Sequence, residues 1–236
     1  MATQRASIPL GLLLGVGLGL GGGQPWQPSM AQANELGALT AEPGSQINVR
    51  TGPGSQHPAQ HYGLAGDRVA ILGSAFEPCG STVSCREWHQ VRFLQSGAVG
   101  WVRGDFLVQG TPPLSDACHR QLAEERTRLN GVRNGFLGAI YLASSGVSPY
   151  RDRPHEMTFR LGGQGQASVL SSPQFMRNMG DRLIQACGSV SAVRYASDAS
   201  GWHDIYGLIN GQVTGFTCVD IDAARDLRWG EYYCGL

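Results

Sequence analysis

Short runs in which apolar and polar residues alternate fill the chain from residue 47 to residue 107, and glycine and proline separate the runs. In the stretch 88–93, for example, His89, Val91 and Phe93 point to one side, and the residues between them point to the other. Several such runs within about sixty residues predict a small all-β barrel.

The period changes from two to helical after Gly110, Pro112 and Pro113, which favour a break in regular structure. This change divides the chain into a β-rich domain at 34–108, a linker at 109–114 and a second domain at 115–236. Two helices are predicted in the second domain. Ser115 is a good N-cap for the first, and Ser172-Pro173 is a helix start followed by a broad apolar face.

Strands are predicted around these helices. Residues 157–161 alternate, and the runs 190–195, 202–209 and 212–220 are strand-like, whereas 135–142 fits either a buried helix or a strand. Asn210-Gly211 between the last two runs is a strong hairpin signal. The second domain is therefore predicted to be a small α+β domain, with a helix packed on an antiparallel sheet.

Five blocks of the first domain resemble the successive blocks of a bacterial SH3 (SH3b) domain. They are Asn48-Val49-Arg50, Gly52-Pro53, Gly66-Asp67-Arg68-Val69, Trp88-His89-Gln90-Val91 and Gly100-Trp101-Val102. The resemblance covers about residues 38–108 and implies an SH3-like barrel that binds cell-wall or peptide ligands. It departs from the family at 75–86, a cysteine-bearing insertion in place of a short loop.

The second domain resembles an uncharacterised domain that follows SH3b domains in secreted cyanobacterial proteins. Ser172-Pro173, Cys187, Asn210-Gly211 and Phe216-Thr217-Cys218 carry this resemblance. It implies where such a protein comes from and supplies no chemistry.

The amino terminus has the order of a secretory signal peptide: Arg5, an apolar run at 8–20, and the small-residue site Ala31-Gln32-Ala33. We expect cleavage after Ala33, a secreted or periplasmic location, and no membrane span after cleavage. The apolar run is shorter than the ~20 residues of a transmembrane helix. An uncleaved anchor is the alternative.

All six cysteines follow the predicted cleavage site, and an even number in an oxidising compartment indicates disulfides. Six cysteines allow many pairings. We expect Cys79–Cys85 to tie the inserted loop, Cys187–Cys218 to join a helix end to a strand, and Cys118–Cys234 to close the second domain.

The charge composition offers no electrostatic partner. Eighteen arginines and no lysine balance eighteen acidic residues, for a net charge of zero. Such a chain has no field to attract nucleic acid or an anionic membrane.

Two sets of residues are candidates for ligand binding. The aromatic side chains Tyr62, Trp88, Trp101 and Phe106 suit a groove for an extended peptide, although Trp88 and Trp101 equally suit fold-determining core positions. In the second domain, Arg151 and Arg153, with Arg160, surround His155 and form a candidate carboxylate or phosphate clamp. The alternative is an internal ion-pair network with Asp152 and Glu156.

Catalytic and metal motifs are weak. The thiols of Cys187 and Cys218, with His155 or His203, have an equally good disulfide role. The sequence has no G-x-S-x-G elbow and no H-E-x-x-H pair, and the four-residue spacing of His57 and His61 falls in a Gly- and Pro-rich loop.

We therefore predict no metal and no cofactor, and a non-enzymatic envelope protein that binds peptidoglycan, a peptide or a protein of the envelope. The alternative is a cell-wall hydrolase with its active site in 115–236, where Glu156 and Asp204 form the first carboxylate pair to test.

Overall fold

The computed structural model describes residues 35–77, 85–110, 114–132, 135–220 and 226–234, all within one compact unit. The strands are β1 (Glu35–Leu39), β2 (Gln46–Arg50), β3 (Ala59–Leu64), β4 (Arg68–Phe76), β5 (Glu87–Phe93), β6 (Val99–Arg103), β7 (Leu107–Gln109), β8 (Gly135–Ser144), β9 (His155–Gly163), β10 (Val190–Ser197), β11 (His203–Ile209), β12 (Gln212–Gly215), β13 (Thr217–Val219) and β14 (Glu231–Tyr233). The helices are α1 (Asp116–Gly131), α2 (Gln166–Leu170) and α3 (Pro173–Ala186), and a 3-10 turn spans Gly104–Phe106. The predicted signal peptide lies outside the described residues.

The protein is mostly β-sheet, as the alternating pattern predicts. Twelve strands form one sheet in the order β12-β11-β10-β9-β8-β7-β1-β4-β5-β6-β2-β3. Strand β7 joins two halves of the protein, the first made by the described residues up to Leu107 and the second by those from Val108 onward, because it pairs antiparallel with β1 and parallel with β8. Gln109, predicted to begin the linker, is therefore the last residue of a buried strand, while residues 111–113 lie outside the described part of the chain.

The sheet of the first half is not closed. Within the described residues β3 pairs only with β2, and both edges of β7 are occupied, by β1 and β8. No edge of β7 is left for β3, so the predicted barrel is not confirmed.

The two halves have separate hydrophobic cores on one continuous sheet. Leu39, Val49 and Val91 belong to the core of the first half, and Leu107 joins them. Val108, the next residue, belongs to the core of the second half. Consecutive side chains of a strand point to opposite faces, so β7 contributes one side chain to each core.

The second half has a mixed sheet, so the predicted antiparallel sheet is wrong. Strands β9 and β10 are parallel, as are β7 and β8, whereas β8–β9, β10–β11 and β11–β12 are antiparallel. Helices α2 and α3 lie between β9 and β10 in the chain, and α1 lies between β7 and β8. Such helical crossovers return the chain to the end where it started, which makes the flanking strands parallel. None of the described helices is long and apolar enough to cross a membrane.

The local signals of the second half are confirmed. Ser115 accepts a hydrogen bond from the main-chain N of Cys118 at the start of α1 (3.2 Å), and Pro173 is the first residue of α3. Asn210 and Gly211 have φ values of 52° and 79° and join β11 to β12. The ambiguous stretch 135–142 is a strand, β8.

Two predicted disulfides are wrong. Cys118 is bonded to Cys187, and Cys218 is bonded to Cys234. The first turn of α1 meets the end of α3, where the Cα atoms of Cys118 and Cys187 are 4.6 Å apart. Cys218 lies in β13, which pairs with β14 just before Cys234. The predicted Cys79–Cys85 bridge involves Cys79, which lies outside the described residues.

Polar contacts also join the halves. The guanidinium of Arg126, in α1, donates to the main-chain oxygen of Thr40 (3.0 Å) and lies over the ring of Phe106, 4.1 Å from its centroid. His119 contacts the Thr40 hydroxyl through Nδ1 (3.2 Å), and Asn130 donates to the Asp105 carboxylate (3.3 Å). One face of α1 is therefore fixed against the first half.

Candidate functional site: an arginine groove on the first half

A small cavity of about 260 Å³ opens on the first half. We call it the arginine groove; it is lined by Gln46, Ile47, Asn48, Arg50, Ser55, Trp88, Arg103 and Phe106. Strand β2 and Ser55 of the loop that follows it supply one wall, and Trp88 of β5, the end of β6 and the 3-10 turn supply the rest. The groove therefore combines apolar rings with two cationic side chains.

The rings of the groove are fixed in place. Trp88 is 3% exposed, and its indole N–H donates to the Glu77 carboxylate (3.2 Å). Phe106 is half-buried, and the guanidinium groups of Arg103 and Arg126 both lie over its ring, with their Cζ atoms 4.9 and 4.1 Å from the ring centroid. Because the stacking already fixes the ring, little additional side-chain entropy is lost when a ligand packs against it.

Arg103 is anchored by a buried carboxylate. Its Nε and Nη2 atoms donate to the two oxygens of Asp105 (2.6 and 2.9 Å), whose side chain has no solvent exposure. This bidentate pair uses one edge of the guanidinium. Within the described residues no bond uses its Nη1 atom, so that edge keeps hydrogen-bond donors at the groove.

Arg50 is anchored by the main chain. Its Nη1 atom donates to the carbonyl oxygen of His57 (2.7 Å), which holds the side chain across the base of the 51–58 loop. Its Nε and Nη2 atoms have no partner in the described part of the chain. Two pre-positioned guanidinium groups with spare donors are suited to bind a carboxylate.

Only two of the four predicted groove aromatics lie in this cavity. Trp88 and Phe106 line it, whereas Tyr62 is 55% exposed on β3 and lines a different cavity. Trp101 is half-buried on β6, opposite Gln90 on one side and Arg50 on the other. The four predicted aromatic residues therefore do not line one common groove.

The two arginines of the groove were not among the predicted site residues. A signal for Arg50 exists in the sequence: Gln46, Asn48 and Arg50 alternate with Ile47 and Val49, so the polar set faces away from the core. Arg103 has no comparable local signal, because its position depends on Asp105 two residues later and on the fold of the 3-10 turn.

Two residues of the predicted anion clamp, Arg153 and His155, contact main-chain oxygens of the second half. Arg151 is exposed in a turn, whereas the Nη1 atom of Arg153 donates to the main-chain oxygens of Ile184 (2.5 Å) and Val190 (3.2 Å). The Nδ1 atom of His155 lies 3.2 Å from the Ser189 oxygen. Arg153, just before β9, thus bonds to the end of α3 and the start of β10, and His155 contacts the segment between them.

Arg160 is also used internally, with partners other than those considered in the sequence. It is paired with Asp198, contacts Glu87 of the first half (3.5 Å) and donates to the Tyr141 hydroxyl (3.3 Å). The internal network therefore exists, but its acids are Asp198 and Glu87.

The carboxylate pair considered for hydrolysis has structural partners. Glu156 accepts from the Nε (2.6 Å) and Nη2 (3.5 Å) atoms of Arg194. Asp204 accepts from the Tyr232 hydroxyl (3.0 Å) and the Trp202 indole (3.4 Å). Burial and the Asp204 carboxylate raise the pKa of Tyr232 to about 12, so this hydroxyl remains a donor at neutral pH.

The remaining catalytic candidates are likewise occupied. Cys187 and Cys218 are both disulfide-bonded, and a disulfide sulfur is not a thiolate nucleophile. Among the residues that the structure describes, no three His, Cys, Asp or Glu side chains come close enough together to hold a metal ion.

No protein-family model, curated protein or solved structure matches the chain. The resemblance to bacterial SH3 domains therefore rests on the sequence blocks quoted above.

Proposed function

We propose that the chain is an exported envelope protein whose first half is an SH3-like module. The module binds a carboxylate-bearing peptide, such as the stem peptide of peptidoglycan, in the arginine groove. The observation that carries this proposal is the pair Arg50 and Arg103, each anchored on one side and retaining donors on the other.

The groove favours an acidic peptide over a neutral one. A free carboxylate accepts two parallel N–H bonds from a guanidinium, and such charge-assisted bonds are about twice as strong as neutral ones. Trp88 and Phe106 supply flat apolar surface for the peptide chain beside the charge. The short peptides of peptidoglycan carry free carboxylates, which fits this combination.

The disulfides support export. Cys118–Cys187 and Cys218–Cys234 are the kind of bond that persists in oxidising compartments and is rare in the cytosol. Together with the signal-like amino terminus, they favour a secreted or periplasmic location.

The test is co-sedimentation of the whole chain with insoluble peptidoglycan. Arg50→Gln removes a cation from the groove and keeps a polar side chain at the position. Arg92→Gln, at an exposed position on β5 outside the groove, is the matched control. We expect Arg50→Gln to weaken binding by about ten-fold or more, the loss expected for one charge-assisted hydrogen bond. The control should bind like the wild type.

Two results contradict the proposal: no sedimentation of the wild type, or equal binding by Arg50→Gln. A turbidity assay on the same suspension addresses the hydrolase alternative. Clearing by the wild type that Glu156→Gln abolishes would replace the binding function with an enzymatic one.

A further inference from the structure

A second cavity, of about 560 Å³, lies at the open side of the first-half sheet. We call it the edge groove; it is lined by His61, Tyr62, Gly66, Asp67, Arg68, Phe93, Leu94, Gln95 and Ser96. One wall is β3, the last strand of the sheet, and the other is the end of β5 with the turn that follows it. The edge groove shares no residue with the arginine groove.

The main-chain N–H and C=O groups of Tyr62 face the edge of β3 that is not paired with β2. The main-chain N of Leu64 donates to the Asp67 carboxylate (2.8 Å), and the Leu64 oxygen accepts from the Asp67 main-chain N (3.1 Å). These partners lie in the turn after β3, so the main-chain groups of Leu64 face away from β2. Residues two apart in a regular strand share this orientation, and the register is unbroken from Leu64 to Tyr62. Tyr62 therefore presents an N–H and a carbonyl oxygen at the free edge.

Apolar side chains are concentrated at this edge. Seven large hydrophobic side chains are exposed among the described residues, and four of them lie on β3 or in the β5–β6 hairpin beside it. The four are Tyr62, Leu64, Leu94 and Val99, with exposures of 55, 40, 50 and 38%. Tyr62 and Leu94 line the edge groove itself. Exposed apolar side chains next to unpaired strand groups are typical of a surface that receives another strand.

The base of the edge groove is apolar and well packed. Phe93 is 7% exposed, and the His61 ring meets it edge-on with centroids 5.8 Å apart. Gly63 allows β3 to lie this close, because a Cβ atom there would come within 2.8 Å of the Phe93 ring. The groove therefore offers a rigid apolar floor for one side chain.

Charged side chains at the mouth of the edge groove favour a particular residue beside the ligand side chain that the floor accepts. The Asp67 carboxylate is engaged by the main-chain N of Leu64. Arg68 is exposed and has no ion pair within the described residues. A cationic group beside an apolar pocket complements a ligand with an acidic residue next to an apolar one.

We infer that the edge groove binds an extended polypeptide segment of a partner protein, which adds as a strand to β3 and places an apolar side chain over Phe93 and an acidic one near Arg68. Unpaired main-chain donors and acceptors recognise a polypeptide backbone, as in other cases of strand addition. This is a second binding surface beyond the proposed function, and it makes the protein an adaptor between the wall and a partner.

The test uses a synthetic peptide, acetyl-TVTLEVT-amide, and NMR titration of the whole chain. We expect amide shifts at Tyr62, Leu64 and Leu94 and slower hydrogen exchange at the Tyr62 amide. The same peptide N-methylated at alternate residues cannot pair on that edge and should bind at least ten-fold more weakly. No shift at these positions up to millimolar peptide, or equal binding of the methylated peptide, would overturn the inference.

Variants separate the edge from its surroundings. Tyr62→Ser and Leu94→Asp should each weaken peptide binding at least ten-fold, whereas Phe76→Ser, which changes another exposed aromatic residue outside the edge groove, should leave it unchanged. Arg50→Gln should also leave it unchanged, so failure of the proposed function and failure of this inference are distinguishable. Sedimentation showing a wild-type dimer that Tyr62→Ser dissolves would assign the edge to a second copy and overturn the partner-peptide assignment.

Discussion

The arginines of the two halves differ in what holds them. In the first half, Arg50 and Arg103 are each anchored on one side and keep donors at a cavity. In the second half, Arg153 bonds two main-chain oxygens through its Nη1 atom and lines neither cavity described above, and Arg160 is shared among Asp198, Glu87 and Tyr141. An arginine becomes a binding group when its neighbours satisfy part of the guanidinium and leave the rest at a cavity. Four predictions compare the two halves, and the third of them tests the arginines directly.

The largest effect should come from the disulfide of the second-half core. Cys118–Cys187 spans 69 residues and Cys218–Cys234 spans 16. By loop-closure entropy the first contributes about 4 kcal/mol and the second about 3 kcal/mol. Paired Cys→Ala variants compared by urea unfolding should show this order. A greater loss of unfolding free energy on removing the shorter bridge would show that loop-closure entropy does not determine the stabilisation by these disulfides.

A somewhat smaller effect tests whether the halves are separable. Leu107→Ala empties a position of the first core and should cost about 3 kcal/mol. Because Val108 joins the other core on the same strand, we expect both halves to unfold in one transition. Single-tryptophan variants that keep Trp88 or Trp229 would report each half. Two separate midpoints would contradict the single unit.

The next effect addresses the contrast between the arginines directly. Arg153→Ala removes donors from two main-chain oxygens and should lower the free energy of unfolding by about 2 kcal/mol. Peptidoglycan binding should remain unchanged once folding is verified by circular dichroism. Arg50→Gln should show the opposite pattern, with weaker binding and nearly unchanged stability. Loss of binding by a folded Arg153→Ala protein would instead support the anion clamp predicted in the second half.

The smallest effect is a dependence of stability on pH. Burial lowers the pKa of His89, against an opposing effect of Glu87, and burial also lowers the pKa of His119, against Asp116. In the unfolded chain both imidazoles have a pKa of about 6.5. Below that pH the unfolded chain therefore binds more protons than the folded one. The contribution of these histidines to the free energy of unfolding should be fully present above about pH 6.5 and should decrease as the pH falls toward their pKa values in the folded protein.

Urea midpoints between pH 8 and pH 5 would measure this slope. His119→Asn should flatten it, because the Asn amide occupies the position of Nδ1 and can still contact the Thr40 hydroxyl without titrating. Stability that increases as pH falls would show that the sign is wrong. His89 has a particular reason to resist protonation: its buried Nδ1 atom has no hydrogen-bond partner among the described residues.

Local features could be predicted from the sequence because their causes are local. The Asn210-Gly211 turn needs positive φ, and Pro173 fits the first turn of a helix, so both predictions are confirmed. The parallel pairing of β9 with β10 was missed although a helix was predicted between these two strands, because it depends on β9 and β10 being neighbours in the sheet, which the whole fold decides. The disulfides were mispaired because they depend on which element ends meet.

The candidate site was predicted only in part for the same reason. Trp88 and Phe106 were identifiable as aromatic residues of a β-rich segment. The role of Arg103 depends on Asp105 becoming fully buried, which follows from the packing of α1 against the first half. A count of arginines in the sequence contains no information about their partners.

The central position of β7 has a consequence for how this gene can be divided. A fragment ending near residue 110 would leave the β8-facing edge of β7 unpaired and Val108 exposed to water. Such an edge recruits other chains, so the first half alone should self-associate. The two halves are therefore expected to be inherited and expressed together, and recombination that separates them should yield an aggregating product.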